Sequence, residues 1–233
     1  MQNRLILCMM NTWENGIDMK NKITLIVPAH NEEKTIKQVI ELVKNHRLLD
    51  EIIIIDNAST DKTFELAKSS GVTVLSCPKK GKGYAMETGV KFAKNDIIIF
   101  LDGDITNYDN DIITTLSEPI LERDVDFVKS NFDREGGRVT ELVAKPMLEL
   151  LFPDIPKFCQ PLSGSIAGKK ECFEKISFEK DYGVDIAILL DMITIGAKIE
   201  EVHIGKLKNV SQEWISLVTM SKEVQNAILK RKK

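Results

Sequence analysis

The stretch Ile97-Ile98-Ile99-Phe100-Leu101-Asp102-Gly103-Asp104 decides how this chain is read. Five consecutive apolar residues, most of them β-branched, describe a strand covered on both faces, as in parallel sheets sandwiched by helices. That run passes without a linker into two carboxylates one residue apart. The same habit recurs on its N-terminal side from Lys22 onward. Ile23-Thr24-Leu25-Ile26-Val27 reads as a first strand ended by Pro28, Ile52-Ile53-Ile54-Ile55 as a second, and Val72-Thr73-Val74-Leu75 as a third. Ile36, Val39, Ile40 and Val43 recur at helical spacing and predict a helix over 31–46, and two further helices are predicted over 61–69 and 84–94. Strands alternating with helices in this way predict an α/β fold, a mostly parallel central sheet flanked by helices in a single domain.

The second half is less regular. A strand is predicted over 126–130, then the polar loop 133–137. Val139, Leu142, Val143 and Leu150 follow a helical pattern in which Pro146 either kinks the helix or starts a second one. Pro153, Pro156 and Pro161 mark an irregular connection, followed by a helix over 182–195, a strand over 199–204 and a closing amphipathic helix over 211–229. The apolar residues Trp214, Ile215, Leu217, Val218, Val224 and Ile228 of that helix are expected to pack on the core, with part of the face open to a second copy in a homodimer. The basic end Lys230-Arg231-Lys232-Lys233 reads as a solvated terminus that suits the helix dipole.

Composition narrows the class. Across 233 residues, 32 Lys and Arg against 35 Asp and Glu leave a net charge of −3, so no global positive field exists to hold nucleic acid. With 43% hydrophobic and 29% charged residues the chain is an ordinary globular one. No apolar run reaches the roughly 18 residues of a transmembrane segment. The only histidines are His30, His46 and His203, so a metal site must rest mainly on carboxylates. Cys8, Cys77, Cys159 and Cys172 are widely spaced and read as reduced thiols of a cytoplasmic protein. Residues 1–18 read as an N-terminal extension, disordered or outside the native start, with the domain beginning near Met19. On this reading 19–105 and 106–210 are two halves of one domain, and 211–233 is a helix with a basic tail.

In parallel α/β sheets ligands bind beyond the carboxyl ends of the strands. Three polar clusters fall there: Pro28-Ala29-His30-Asn31-Glu32-Glu33, Asp56-Asn57-Ala58-Ser59-Thr60-Asp61, and Asp102-Gly103-Asp104. Asn31 and Thr60 are also good helix caps, and each cluster alone could be no more than that; three in strand register point to one ligand-binding rim. The Asp102/Asp104 pair suits a hard divalent cation, Mg²⁺ or Mn²⁺, that also takes diphosphate oxygens. Gly136-Gly137-Arg138-Val139-Thr140 places a glycine pair and an arginine before a helix, a pattern that can close on an anion.

Taken with Lys82-Gly83-Tyr84-Ala85, the three rim clusters resemble the nucleotide-sugar glycosyltransferases of GT-A fold. Gly136-Gly137-Arg138-Val139-Thr140-Glu141-Leu142, Gln160-Pro161-Leu162-Ser163-Gly164 and Tyr182-Gly183-Val184-Asp185-Ile186 are similar to glucosyl-3-phosphoglycerate synthases and their mannosyl relatives. The resemblance implies a retaining, metal-dependent transfer of a hexose from a UDP- or GDP-sugar to a small phosphorylated acceptor such as 3-phosphoglycerate. It implies that Pro28, Ala29, Asn31, Glu32, Asp56, Ser59, Lys82 and Asp102 hold the nucleotide sugar. Gly137, Arg138 and Thr140 would hold the acceptor, Asp102 and Asp104 the metal, and Asp185 would stand near the acceptor as base or anchor. Three positions depart from the family. Leu207 and Asn209 replace an Arg and a metal-binding His, so that Asn209 would be a weak metal ligand, and Ser165 stands where a Glu is usual. His203, on a strand, reads as structural. Transfer to a polyprenyl phosphate and sugar-nucleotide binding without catalysis are the alternative functions. A dehydrogenase is excluded because the first strand leads into Pro-Ala-His-Asn-Glu, without the glycine turn that a dinucleotide requires.

Overall fold

The computed structural model describes residues 22–133, 137–208 and 214–232. Seven strands form one sheet: β1 Ile23–Ala29, β2 Leu49–Asp56, β3 Thr73–Ser76, β4 Ile97–Phe100, β5 Phe127–Asp133, β6 Ile166–Lys169 and β7 Ile199–Lys206. Their order is β3-β2-β1-β4-β6-β5-β7. The pairs β1–β2, β1–β4, β2–β3 and β5–β7 are parallel, and only β6 runs antiparallel, to both its neighbours. The expected α/β domain with a mostly parallel sheet is therefore the fold observed.

Alternation along the strands divides the core in two. Ile26, Ile53, Ile55, Ile98 and Phe100 face one side of the sheet, while Leu25, Val27, Ile54, Ile97 and Ile99 face the other. The second face is covered by α1 Ile36–Val43, α2 Thr63–Ser69 and α4 Ile112–Arg123. Onto the first face pack α3 Lys82–Phe92, α6 Lys170–Glu174, α7 Val184–Thr194 and α8 Trp214–Arg231. A π-helical turn, Thr140–Ala144, runs into α5 Lys145–Leu151, so Pro146 sits in the first turn of a second helix, where its missing N–H costs nothing.

Several boundaries differ from the sequence reading. Pro28 does not end β1, which continues to Ala29 in register with Asp56. The β4 ladder has already stopped at Ile26 opposite Phe100, so the edge that Pro28 presents there has no acceptor to satisfy. Helix α1 begins at Ile36 rather than near residue 31. Its would-be first turn is tied to the next loop instead, through Asn31 N to Ser59 Oγ (3.0 Å), Glu32 N to Thr63 Oγ1 (2.7 Å) and Glu33 N to Asp61 Oδ2 (3.1 Å). Three elements were not foreseen: α4, α6 and β6. In α4, Thr114, Thr115, Ser117 and Pro119 mask the helical stripe of Ile112, Ile113, Leu116 and Ile120. The four residues of β6 include Ala167 and Gly168, too few and too small for a strand pattern. Gly168 is small because the Phe173 ring packs where a side chain would start.

The closing helix meets only part of its expectation. Val224, Ala227 and Ile228 are buried, but Trp214 and Ile215 are 70% and 78% exposed. Nor is the basic end a merely solvated terminus. Arg231, with 12% of its side chain exposed, forks onto both Asp191 oxygens (2.6 and 2.7 Å) and reaches Glu179 at 3.0 Å. It fastens α8 to α7 and to the loop before it. Residues 211–213 and 233 lie outside the described residues, as does the 1–18 extension. Cys77 and Cys172 are buried free thiols and Cys159 is exposed. No helix among the described residues is long and apolar enough to cross a membrane.

Phe173 joins the sheet to α6: its ring meets Phe100 and Phe127 edge-on, with centroids 5.4 and 6.1 Å away. Phe173→Ala is predicted to lower unfolding stability by about 3–5 kcal/mol in urea denaturation. A loss below about 1 kcal/mol would show that this contact does not hold the core.

Candidate active site

The carboxyl ends of β1, β2 and β4 open into a cleft of about 730 Å³. Its floor is Pro28, Ala29, His30, Glu32, Asn57, Asp102, Gly103 and Asp104. Lys80, Gly81 and Lys82 form one side, Gly137–Thr140 and Leu162 another, and Asp181, Tyr182, Asp185 with Leu217, Met220, Glu223 and Val224 of α8 complete the wall. One cleft thus gathers Pro28, Ala29, Glu32, Lys82, Asp102, Asp104, Gly137, Arg138, Thr140 and Asp185 from five separate parts of the sequence. Asn31, Asp56 and Ser59 do not line it, and Asn209 lies outside the described residues. Asn31, in a left-handed conformation (φ 59°), accepts from Thr60 N at 2.8 Å while its N–H meets Ser59, so both residues shape the rim from behind.

Lys82 is the centre of the site. Placed at the first position of α3, its ammonium lies 2.9 Å from Asp102 Oδ1 and 2.9 Å from Asp185 Oδ2. Asp102 follows β4, and Asp185 sits in the first turn of α7, so one cation joins the end of that strand to the start of that helix. Glycines make the approach possible. A β-carbon on Gly164 would overlap the Asp102 carboxylate and the Lys82 ammonium, and one on Gly83 would overlap the Glu179 carbonyl. Asn57 places the loop before Lys82 by donating to Cys77 O (3.3 Å) and Lys79 O (2.7 Å) and accepting from Gly81 N (2.7 Å).

The Asp102 backbone is held in turn. Its N–H donates to Tyr108 Oη at 3.1 Å, and that hydroxyl lies 2.8 Å from Ser165 Oγ. Burial, with the Asp102 charge beside it, keeps the Tyr108 phenol well above its usual range and therefore neutral. Ser165, one of the positions at which the chain departs from the family it resembles, is thus a support for Asp102. Tyr108, Asn57, His30 and the α8 residues were not singled out from the sequence. Tyr108 and Asn57 act through backbone, and helical spacing makes Leu217, Met220 and Val224 indistinguishable from core. His30 donates from Nδ1 to Asn57 O at 2.8 Å, and its position inside the first rim cluster was the available signal. His203, by contrast, meets Asn131 Oδ1 at 2.7 Å across the β5–β7 ladder, away from the cleft.

Negative charge is crowded here. Burial, and then the Asp104 charge, push Glu32 up to about 7 from its ordinary 4.5, against a hydrogen bond from Thr35. Burial and Asp102 raise Asp104, with Lys82 opposing, and burial raises Asp185 against the same lysine. Burial works against the Lys82 charge, but Asp102 and Asp185 hold its ammonium well above the ordinary lysine value. Asp56 Oδ1 and Asp185 Oδ1 are buried without a hydrogen-bond partner. Among the described residues no group of three or more His, Cys, Asp or Glu closes into a metal site, so this chain offers the carboxylates of Asp102 and Asp104. Two hard oxygen donors in a surplus of negative charge fit Mg²⁺ or Mn²⁺, which keep waters and take phosphate oxygens as further ligands.

Comparison with known proteins gives this cleft a family. The pattern of Glycosyl transferase family 2 matches residues 24–176, from β1 through α6. The chain belongs to glycosyl transferase family 2. Within that family it is 36% identical to the glucosyl-3-phosphoglycerate synthase of Petrotoga mobilis, over 90% of this chain and 73% of that protein. It is 34% identical to the synthase of Mycolicibacterium smegmatis, over 90% and 77%. A crystal structure of the Mycobacterium tuberculosis synthase with phosphoglyceric acid superposes with a TM-score of 0.87 at 34% identity, over 91% of this chain and 80% of that one. The same enzyme with Mn²⁺, UDP-glucose and phosphoglyceric acid superposes with a TM-score of 0.86, over 91% and 79%.

Glu32 supplies a test of the charge crowding. Because folding raises its pKa, it contributes stability that is complete below the ordinary 4.5 and is lost as pH rises through about 7. Glu32→Gln keeps the acceptor for Thr35 and removes the charge. Without metal it should raise the thermal midpoint by about 3–6 °C near pH 8 and leave it within about 1 °C near pH 5. An equal shift at both pH values would show that the Glu32 carboxylate is not under strain.

Proposed function

We propose that this glycosyltransferase moves glucose from UDP-glucose to 3-phosphoglycerate, retaining the anomeric configuration. The observation that carries the reading is the pairing, across one cleft, of the Asp102/Asp104 carboxylates with the Gly137–Arg138–Thr140 wall. It occurs in a chain more than 30% identical to glucosyl-3-phosphoglycerate synthases over nine-tenths of its length. Residues 19–105 form the donor half of the domain and 106–210 the acceptor half.

In this reading Pro28, Ala29 and Glu32 line the place of the nucleoside, Asn31 and Ser59 brace that rim from behind, and Asp56, whose Oδ1 is buried without a partner, stands at the end of β2 beside it. Lys82 and Asp102 meet the diphosphate and ribose. Asp102 and Asp104 would hold a Mg²⁺ or Mn²⁺ ion, which when bound would supply the positive charge that offsets what grows on the departing diphosphate. Arg138 forks onto the acceptor's phosphate or carboxylate, while the Gly137 backbone and the Thr140 hydroxyl close beside it. Asp185, whose Oδ1 has no partner, accepts a hydrogen bond from the acceptor hydroxyl and aims it at the anomeric carbon. The glycosidic bond to diphosphate breaks as the new one forms on the same face, and the hydroxyl proton passes to the departing phosphate oxygen. Lys82, fixed between two carboxylates, holds Asp185 and Asp102 in relative register throughout.

The free thiols Cys77 and Cys172 and the phosphorylated substrates support a cytoplasmic setting. The exposed Trp214, Ile215 and Val218 of α8 supply a face for a homodimer.

Incubation with UDP-glucose, 3-phosphoglycerate and Mg²⁺ or Mn²⁺ is predicted to release UDP and give the glucosylated acceptor, seen by mass spectrometry. Asp104→Asn should lower the rate by about 100-fold or more. Tight UDP binding without turnover of any acceptor would make the protein a binder, and turnover with a polyprenyl phosphate alone would overturn the soluble acceptor.

A further inference from the structure

Lys129 lies in the middle of β5 with no exposed surface, an unusual place for an ammonium. Its Nζ donates to two backbone carbonyls, Ser163 O at 2.8 Å and Asp185 O at 3.2 Å. No carboxylate lies within salt-bridge distance of it among the described residues. A buried charge held only by carbonyls is costly, and a methionine would fill the same space without that cost. What distinguishes the two carbonyls is what their segments carry. Ser163 precedes Gly164, whose bare α-carbon leaves room for the Asp102–Lys82 pair. Asp185 presents its side chain to Lys82 on the far side. The loop is further pinned by the Ser130 and Ser163 hydroxyls, 2.6 Å apart.

We propose that Lys129 is a positioning residue of this site, whose buried ammonium fixes Gly164 and the Asp185 carboxylate where they flank Lys82 and supplies the second positive charge beneath them. The inference rests on the reading of this cleft as a transferase site, but its geometry does not depend on which sugar or acceptor is used. Four charged groups face Lys129: Asp185 on α7, Lys82 on α3, Asp102 after β4 and Glu201 on β7. Burial pushes the Lys129 ammonium down to about 8; Asp185, Asp102 and Glu201 oppose the shift and Lys82 adds to it. Lys129 is therefore charged at neutral pH and loses its charge in mildly alkaline solution, and Asp185 then loses one of its two counter-charges.

The test uses the full chain. In wild-type protein carrying ¹³C-lysine and ¹³C-aspartate, the Lys129 Cε signal should titrate near pH 8, apart from the surface lysines, and the Asp185 carboxyl carbon should shift with it. A Lys129 signal that titrates with the surface lysines, or without a response at Asp185, overturns the proposal whether or not the protein turns over UDP-glucose. In the transferase assay, K129M should lower kcat about tenfold or more, keep the KM for UDP-glucose within about threefold, and move the acid limb of the pH profile upward. K129R, which keeps the charge, should recover part of kcat. A folded K129M with wild-type kcat and pH profile overturns the proposal. A wild-type protein without turnover defeats the transferase reading instead, and the carbon titration still decides the role of Lys129.

Discussion

A single ammonium, that of Lys82, holds this site together. It sits 2.9 Å from the carboxylate of Asp102, which follows β4, and 2.9 Å from that of Asp185, in the first turn of α7. Everything near it is arranged so that this contact can form. Gly83 lets the start of α3 lie against the Glu179 backbone, Gly164 leaves space for the pair itself, and Asn57 and Tyr108 hold the two chain segments from behind. Even the chain's basic end takes part, since Arg231 clamps Glu179 and Asp191 and so steadies the loop that Gly83 abuts.

The electrostatics follow from that geometry. Glu32, Asp102, Asp104 and Asp185 line one cleft, and Lys82 is in direct contact with two of them, Asp102 and Asp185. Burial and mutual repulsion leave Glu32, Asp104 and Asp185 reluctant to ionise. Such a site stores unfavourable negative charge that a divalent ion can relieve, and because a diphosphate is itself anionic it enters most favourably with that ion, so that donor and metal binding are coupled. The wall of Gly137 and Arg138 brings a positive charge to the same cleft.

Much of this was legible in the sequence, for identifiable reasons. The strands β1, β2 and β4 are isoleucine-rich runs, and the rule that ligands gather at strand carboxyl ends converted them directly into a cleft. Asp102-Gly103-Asp104 was visible because the two acids stand only one residue apart in sequence. Contacts made between distant residues were not visible: nothing local joins Lys82 to Asp185, or Lys129 to Ser163. Helix α4 was hidden by its threonines and Pro119, and β6 by its brevity. The basic tail misled for the opposite reason, because four cations in a row read as solvent-facing although the Arg231 side chain is largely covered where it pairs with Asp191 and Glu179. The first polar cluster also divided its labour in a way the sequence could not show. Pro28, Ala29 and Glu32 face the cleft, while Asn31 turns away to brace the neighbouring loop.

The most direct test of the account is a double-mutant cycle on Lys82 and Asp185, using Lys82→Met, Asp185→Asn and the pair, read as kcat/KM for UDP-glucose. If one ammonium ties Asp102 to Asp185, the effects are strongly non-additive, with a coupling of about 1 kcal/mol or more. Additive effects within about 0.3 kcal/mol would contradict it, and would mean that the two residues serve the site independently.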